Sequence, residues 1–273
     1  MQWSKLKNII LLILVITNLF LLYFVLRDTL QKHRFEMDAR TNAISFLAEK
    51  GIQVTQEQVP QTIKLLSQTV ERDLEEESVL AAALLGGDVR VEARGSEIYR
   101  CQNQTGWIQF HSDGSFSAQF EAGAFPVTMD RKTAGAEWLK RMNFEGEVLN
   151  ETESTLTVRQ LWKGIPLFTQ QVTLVFEDNC MVAMTGGRRL MGEPEAEADQ
   201  SPVTVATALI DVFRGLNELG DVCSEISAIR EGYAATASLS GTMTLTPVWH
   251  ITTDTGTYQL NTLTGVLTRA AGS

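Results

Sequence analysis

The feature that most constrains this chain is an uninterrupted apolar segment close to its N-terminus. Residues 9–26 contain no charged side chain, and their polar members are Thr17, Asn18 and Tyr23. As an α-helix this segment extends about 27 Å, close to the ~30 Å hydrocarbon core of a bilayer. The sequence therefore predicts a transmembrane helix at residues 9–26, preceded by a tail of residues 1–8.

Two other interpretations of this segment are less favourable. A cleaved signal peptide has a shorter apolar region followed by small residues, whereas here Leu26 is followed by Arg27 and Asp28. A buried core helix is rarely so uniformly apolar and so near a chain terminus. We therefore expect an uncleaved, single-pass membrane anchor.

Charge alone does not orient the predicted anchor. Lys5 and Lys7 precede the apolar segment, and Arg27, Lys32 and Arg34 follow it. Because the short tail holds no domain, we expect residues 1–8 in the cytoplasm and the larger part of the chain outside the cell membrane. The formal net charge of −10 argues against a nucleic-acid partner.

The segment after the anchor, residues 27–70, is predicted to form a juxtamembrane helix and a connecting strand. Over residues 34–50, Phe35, Ala39, Phe46 and Leu47 recur at roughly helical spacing. This helix could continue the membrane helix as a stalk. The favoured alternative is a separate amphipathic helix packed on the first external sheet.

The rest of the chain predicts an α+β fold in which a helix followed by an antiparallel meander is repeated. Residues 71–190 hold two such modules and residues 201–273 hold a third, with an exposed acidic connection at residues 192–200. Asp73 is a candidate N-cap, and Ser201 with Pro202 is predicted to begin the last helix. The apolar stripe of the first helix is expected at Val79, Leu80, Ala83 and Leu84.

No catalytic motif emerges from the sequence. None of the three histidines has a second histidine or a cysteine at metal-ligand spacing, and no nucleotide-binding or hydrolase motif occurs. His250 is expected to face outward from a strand. We therefore predict no enzymatic activity, no metal and no cofactor. The cysteines are expected to be buried thiols without disulfide bonds: Cys101, Cys180 and Cys223.

The membrane segment itself carries the predicted functional site. Leu11, Leu14, Asn18, Leu22 and Val25 recur at spacings of three and four and therefore share one face of a helix. An amide in the hydrocarbon core often bonds to another helix. We therefore predict that these five residues, here called the Asn18 stripe, contact a partner helix; a lone asparagine facing lipid is the alternative.

Several short motifs carry a resemblance to a known family. They are Trp3-Ser4-Lys5, Lys7-Asn8-Ile9, Thr17-Asn18-Leu19-Phe20-Leu21-Leu22-Tyr23, Lys163-Gly164-Ile165-Pro166-Leu167-Phe168, Pro247-Val248-Trp249-His250-Ile251, Gly256-Thr257-Tyr258 and Asn261-Thr262-Leu263-Thr264-Gly265. The chain resembles YycI, and the last three motifs are also similar to the closing hairpin of PepSY-type modules. YycI and YycH are accessory regulators of the WalK/WalR two-component system in low-GC Gram-positive bacteria.

The resemblance implies a single-pass cell-membrane protein with an extracytoplasmic domain of YycH-like or PepSY-like modules. Its membrane helix would contact a WalK-like sensor histidine kinase, often together with a YycH-like protein, and tune signalling in cell-wall homeostasis. Two other functions remain open. One is a tethered extracytoplasmic binding or inhibitor module of PepSY type, and the other is a cell-envelope hydrolase. The sequence identifies no small-molecule ligand.

Overall fold

In a computed structural model the chain has a mixed α+β fold, as the sequence predicts. The backbone is described for residues 2–95, 98–111, 115–128, 130–186, 194–197, 200–238 and 242–270, with side chains for all of these except residues 2–6, 8–10, 28, 29 and 33. The helices are α1 (Gln2–Glu49), α2 (Leu74–Leu85), α3 (Arg131–Arg141) and α4 (Val205–Leu219). The strands are β1 (Gln68–Val70), β2 (Arg90–Ala93), β3 (Tyr99–Asn103), β4 (Gly106–Phe110), β5 (Phe116–Phe120), β6 (Glu145–Glu151), β7 (Thr155–Trp162), β8 (Ile165–Glu177), β9 (Cys180–Gly186), β10 (Glu195–Ala196), β11 (Ile226–Ala237), β12 (Met243–Thr253), β13 (Thr257–Asn261) and β14 (Leu267–Arg269).

Helix α1 is continuous from the apolar segment into the folded body. No glycine or proline interrupts residues 27–50, so nothing in the sequence ends the helix before Gly51, which has a φ of 88°. The favoured interpretation of a separate helix on the first sheet is therefore wrong. The C-terminal end of α1 packs instead on α4, where Ala43 is 4% exposed and Leu47 is 0% exposed.

The first sheet is antiparallel throughout and has the strand order β2-β3-β4-β5-β9-β8-β7-β6. Each of α2 and α3 is followed by four strands, and the two groups join edge to edge through β5 and β9. The two helices share one apolar core, in which Leu84 of α2 and Trp138 of α3 are buried. The two segments predicted as separate modules therefore form one sheet with one core.

The buried face of α2 differs from the predicted stripe. The side chain of Asp73 accepts hydrogen bonds from the backbone N–H groups of Glu75 and Glu76, which confirms the predicted N-cap. Of the predicted stripe, Leu80 and Leu84 are buried as expected, whereas Val79 and Ala83 are exposed and Glu77 lies on the buried face instead. Glu77 is buried because the guanidinium of Arg72 pairs with it at 2.6 Å, an interaction that no apolar pattern reveals.

The second sheet consists of β11–β14 with the short strands β1 and β10. Strand β12 pairs with β11 along one edge and with β1 and β13 along the other. Helix α4 covers this sheet and begins at Val205 with Thr204 as its N-cap, so the predicted start at Ser201 is wrong. The backbone N–H of Val203 donates to the carbonyl of Thr262, which keeps the preceding residues extended.

Part of the predicted acidic connection forms the short strand β10, which pairs with β1. Residues 192, 193, 198 and 199 of that connection lie outside the described residues. Within the described part, Glu195 is exposed as predicted, and its neighbour Glu197 is half-buried.

The two sheets meet where β8 runs beside β11. Tyr233 and Leu167 form a parallel pair there. The hydroxyl of Thr169 accepts from the N–H of Ala235 at 2.8 Å and donates to its carbonyl at 3.0 Å. Gly232 lies so close to β8 that an added Cβ would stand 2.4 Å from the carbonyl oxygen of Pro166. This junction places side chains from β6, β7, β8, β11 and β12 beside one another.

Candidate functional site

The Asn18 stripe is exposed in the structure. Leu11, Leu14, Leu22 and Val25 each expose more than half of their surface, and Asn18 is exposed as well. The helix that carries them is long and apolar enough to cross a membrane, judged by length and composition. The predicted residues are therefore brought together on one surface that no other described part of the chain covers.

The amide of Asn18 is partly satisfied within its own helix. Its Nδ2 donates to the carbonyl of Leu14 at 2.9 Å, and the hydroxyl of Thr17 donates in the same way to Ile13. The Oδ1 atom of Asn18 accepts no hydrogen bond from the described residues. The polar atom left for a partner helix is therefore an acceptor, which a donor such as a hydroxyl or an amide N–H would satisfy.

The stripe lies on the side of α1 that faces the folded body. At about 3.6 residues per turn, Ala43 and Leu47 lie about seven and eight whole turns beyond Asn18, within about 20° of it around the helix axis. Ala43 and Leu47 are the residues through which α1 enters the core beside α4. A helix that contacts the Asn18 stripe would therefore lie beneath the body of this chain.

A second candidate site is a cavity of about 430 Å³ where the two sheets join, here called the inter-sheet cavity. Strands β6, β7 and β8 supply part of its wall and β12 and β13 another part. Its lining is mostly polar and uncharged, with side chains that both donate and accept hydrogen bonds: Asn150, Thr157, Gln171, Thr257 and Gln259. The lining also contains a guanidinium group, a phenyl ring and an imidazole ring, from Arg159, Phe168 and His250.

His250 lies on the outer face of β12, opposite the core residues Trp249 and Ile251, as predicted, but it is half-buried there against the first sheet. Its ring stacks on Phe168 with centroids 4.4 Å apart and planes 13° apart. The outer face of β12 is covered because β8 packs beside the second sheet at the junction. Burial, followed by the charges of Arg159 and Arg230, lowers the pKa of His250 to about 4, so the imidazole is neutral near pH 7.

Glu147 connects the two sheets electrostatically. Its carboxylate accepts from Arg159 of β7 at 3.0 Å and from Arg230 of β11 at 2.9 Å. Burial raises the pKa of Glu147, but the hydrogen bonds and charges of Arg230 and Arg159 outweigh burial and hold its pKa below the usual value. Arg159 also lies over the ring of Phe168, with its guanidinium carbon 5.1 Å from the centroid.

Sequence reasoning missed the inter-sheet cavity because its distinctive residues come from separate strands. Only the pairing of β8 with β11 brings Glu147, Arg159 and Phe168 next to Arg230 and His250. The one signal available was a histidine placed between two large apolar residues, Trp249 and Ile251.

Other chemically reactive groups are dispersed. Cys101 and Cys223 are buried and Cys180 is half-buried, and all three are free thiols. Burial raises the pKa of both Cys101 and Cys223, which makes their thiols less reactive. Among the described residues no group of histidine, cysteine and carboxylate side chains could hold a metal ion.

Comparison with known proteins gives a structural neighbour only. No family model matches the sequence, and no curated protein matches it either. Among solved structures, the chain is similar to an uncharacterized protein from Eubacterium rectale ATCC 33656, whose crystal structure was determined at 1.45 Å resolution. The two are 13% identical with a TM-score of 0.40, and the alignment covers 75% of this chain and 81% of the other.

Proposed function

We propose that this chain is a membrane-anchored extracytoplasmic regulator of a WalK-like sensor histidine kinase, with a YycH-like protein as a further partner in the membrane. In this proposal residues 1–8 are cytoplasmic, residues 9–26 cross the membrane and the body lies outside. The Asn18 stripe contacts the kinase helix, and the chain catalyses no reaction. The resemblance to YycI and to PepSY-type modules supplies the identity of the partners.

The observation that carries the proposal is the continuity of α1. One helix extends from Gln2 to Glu49, and its last turns are buried in the core that includes α4. A rotation or displacement of the body is therefore passed directly to the apolar segment. Such a regulator changes kinase output only if it binds the two kinase states with different free energies.

The angular position of the Asn18 stripe supports the same proposal. Since the stripe lies beneath the body, a partner helix bound there comes close to the extracytoplasmic part of this chain as well. Contact in the membrane and contact outside it would then act on the same partner. A stripe on the opposite side of α1 would have separated the two contacts by the width of the helix.

Photo-crosslinking from inside the membrane tests the proposal. A photo-reactive residue replaces Asn18 in the full chain in cells, and the captured protein is identified by mass spectrometry. The matched control is Phe20, which is exposed on nearly the opposite face of α1. We expect capture of a sensor histidine kinase from position 18 with a yield at least about five times that from position 20. Equal yields, or capture of lipid alone, would contradict the proposal.

The inter-sheet cavity favours a second candidate function, a tethered extracytoplasmic binding module. In that case the apolar segment only holds the chain at the membrane. Replacing residues 9–26 with an unrelated transmembrane helix separates the two functions. Loss of kinase regulation at unchanged protein level would support regulation through the helix, whereas full regulation would support the tethered module.

A further inference from the structure

Two buried nitrogen atoms at the inter-sheet cavity lack a hydrogen-bond partner. Neither Nε of Arg159 nor Nδ1 of His250 is bonded by any described residue, although both atoms are shielded from solvent. Both side chains line the same cavity. Buried polar atoms in folded proteins are nearly always hydrogen-bonded, so two orphaned atoms at one cavity point to a ligand that completes them.

The geometry of Arg159 narrows the chemistry of that ligand. Its Nη1 atom is engaged by Glu147, and its side chain is only 13% exposed. The edge of the guanidinium formed by Nε and Nη2 has no partner among the described residues. Two parallel N–H groups on such an edge match the two oxygens of a carboxylate.

The charge balance around the cavity also favours an anion. Glu147 is the single carboxylate that pairs with both Arg159 and Arg230. Two guanidinium groups therefore share one negative charge, in a chain whose overall net charge is −10. Arg230 is half exposed and therefore hydrated, so a bound anion would mainly compensate the charge of Arg159, whose burial makes an uncompensated charge costly.

The remainder of the lining suits neutral polar groups. The amides of Asn150, Gln171 and Gln259 and the hydroxyls of Thr157 and Thr257 can donate and accept hydrogen bonds. A volume of about 430 Å³ lies within the range typical of small-molecule sites.

We propose that the inter-sheet cavity binds a small molecule that carries one carboxylate and neutral amide or hydroxyl groups. The carboxylate takes the Nε–Nη2 edge of Arg159, one neutral group bonds to Nδ1 of His250, and the others bond to the amides and hydroxyls of the lining. Because Nε is shielded from solvent, binding requires that the side chains covering it rotate away. The proposal does not depend on the membrane helix.

The test uses the histidine ring signals of the full chain in detergent micelles at pH 7. N-acetylalanine is the probe, because it combines a carboxylate with a neutral amide, and N-acetylalaninamide is its uncharged control. The signal of His250 is assigned by its absence in the variant His250→Phe. We expect a saturable shift of this signal with N-acetylalanine, with a Kd at least about tenfold lower than that of the amide. A separate titration with inorganic phosphate tests whether any anion shifts the same signal.

Two variants distinguish binding from a general change of the fold. Arg159→Gln removes the proposed carboxylate contact, and we expect the saturable shift to be lost. Arg230→Gln breaks the other ion pair of Glu147 but does not alter the lining, so saturation should persist. No saturation with N-acetylalanine, equal affinity for the amide, a response to phosphate alone, or an unchanged response in Arg159→Gln would overturn the proposal.

Discussion

At the scale of single residues, His250 is a side chain whose pKa the fold lowers strongly. The lowered pKa means that the folded protein binds a proton at this site more weakly than the unfolded chain does. The stability associated with His250 is therefore complete above the ordinary pKa of 6.5 and is lost as the pH falls towards 4. The fold holds the pKa of Glu147 below its ordinary value of 4.5. The stability that its ion pairs contribute is therefore lost only in more acidic solution.

We expect His250→Phe to reduce the acid sensitivity of the protein. Phenylalanine keeps an aromatic ring for stacking on Phe168 but has no proton to bind. Urea unfolding of the full chain in micelles at pH 7 and at pH 5 measures the effect. The decrease in the unfolding midpoint between the two pH values should be smaller in the variant, whereas between pH 8 and pH 7 the two proteins should change alike. An identical decrease in both proteins at pH 5 would show that another group controls this interval.

Local chemistry was predictable at this scale, and long-range contacts were not. Asp73 caps α2 as expected because a cap depends on residues that follow within one turn. Lys163 and Gly164 have φ values of 49° and 77°, as a two-residue hairpin turn requires, and the glycine is a local signal for the turn that connects β7 to β8. The burial of Glu77 and the partial burial of His250 were not predictable, because both depend on partners supplied by the tertiary fold.

At the scale of elements, α1 is the part on which the proposed function depends. The angular position of residues around the helix axis, here called the helix phase, places the Asn18 stripe on the same side as Ala43 and Leu47. A change of this phase would turn the stripe away from the body. The sequence contained this information, since no helix-breaking residue occurs in residues 27–50. What it lacked was the partner surface of α4, which decides where the end of α1 is buried.

Insertion of alanines after Arg34 tests the importance of this phase. Two alanines turn the stripe by about 200° relative to the body, whereas four turn it by about 40° while lengthening the helix more. We expect the two-residue insertion to abolish regulation of the partner kinase and the four-residue insertion to retain most of it. Phosphorylation of the response regulator in cells is the measurement. A greater loss of regulation with four alanines than with two would mean that regulation depends on the length of the helix and not on its phase.

At the scale of the whole molecule, the junction of β8 with β11 decides how the two sheets form one body. The α+β class, with helices followed by antiparallel strands, was predicted from the sequence and is observed. The merging of two predicted meanders into a single sheet did not, because edge-to-edge pairing of β5 with β9 leaves the pattern of each strand unchanged. The pairing of Tyr233 with Leu167 was unpredictable for the same reason.

Gly232→Ala is expected to weaken this junction. Its new Cβ would lie against the carbonyl oxygen of Pro166 and the ring of Phe168, so β8 and β11 would have to separate. We expect a loss of about 1–3 kcal/mol in the free energy of unfolding, as for other overpacked sites, together with faster hydrogen exchange at the N–H of Ala235. Urea unfolding and exchange measured by NMR provide the two readouts.

Gly256→Ala is the matched control for that substitution. The nearest atom to its added Cβ is 3.7 Å away, an ordinary contact, so stability should change by no more than about 0.5 kcal/mol. Equal losses from the two substitutions would show that the close approach at Gly232 is not what holds the sheets together.

If α1 crosses the membrane as proposed, its unbroken course also couples the position of the body to the lipid. The distance along the helix from Asn18 to Ala43 is about 37 Å, and membrane helices incline by about 20° on average from the bilayer normal. For a chain anchored in this way, an inclination of that size carries the base of the body sideways by about 13 Å. A thinner bilayer inclines such a helix further. It would therefore displace the inter-sheet cavity and the surrounding strands laterally along the membrane surface.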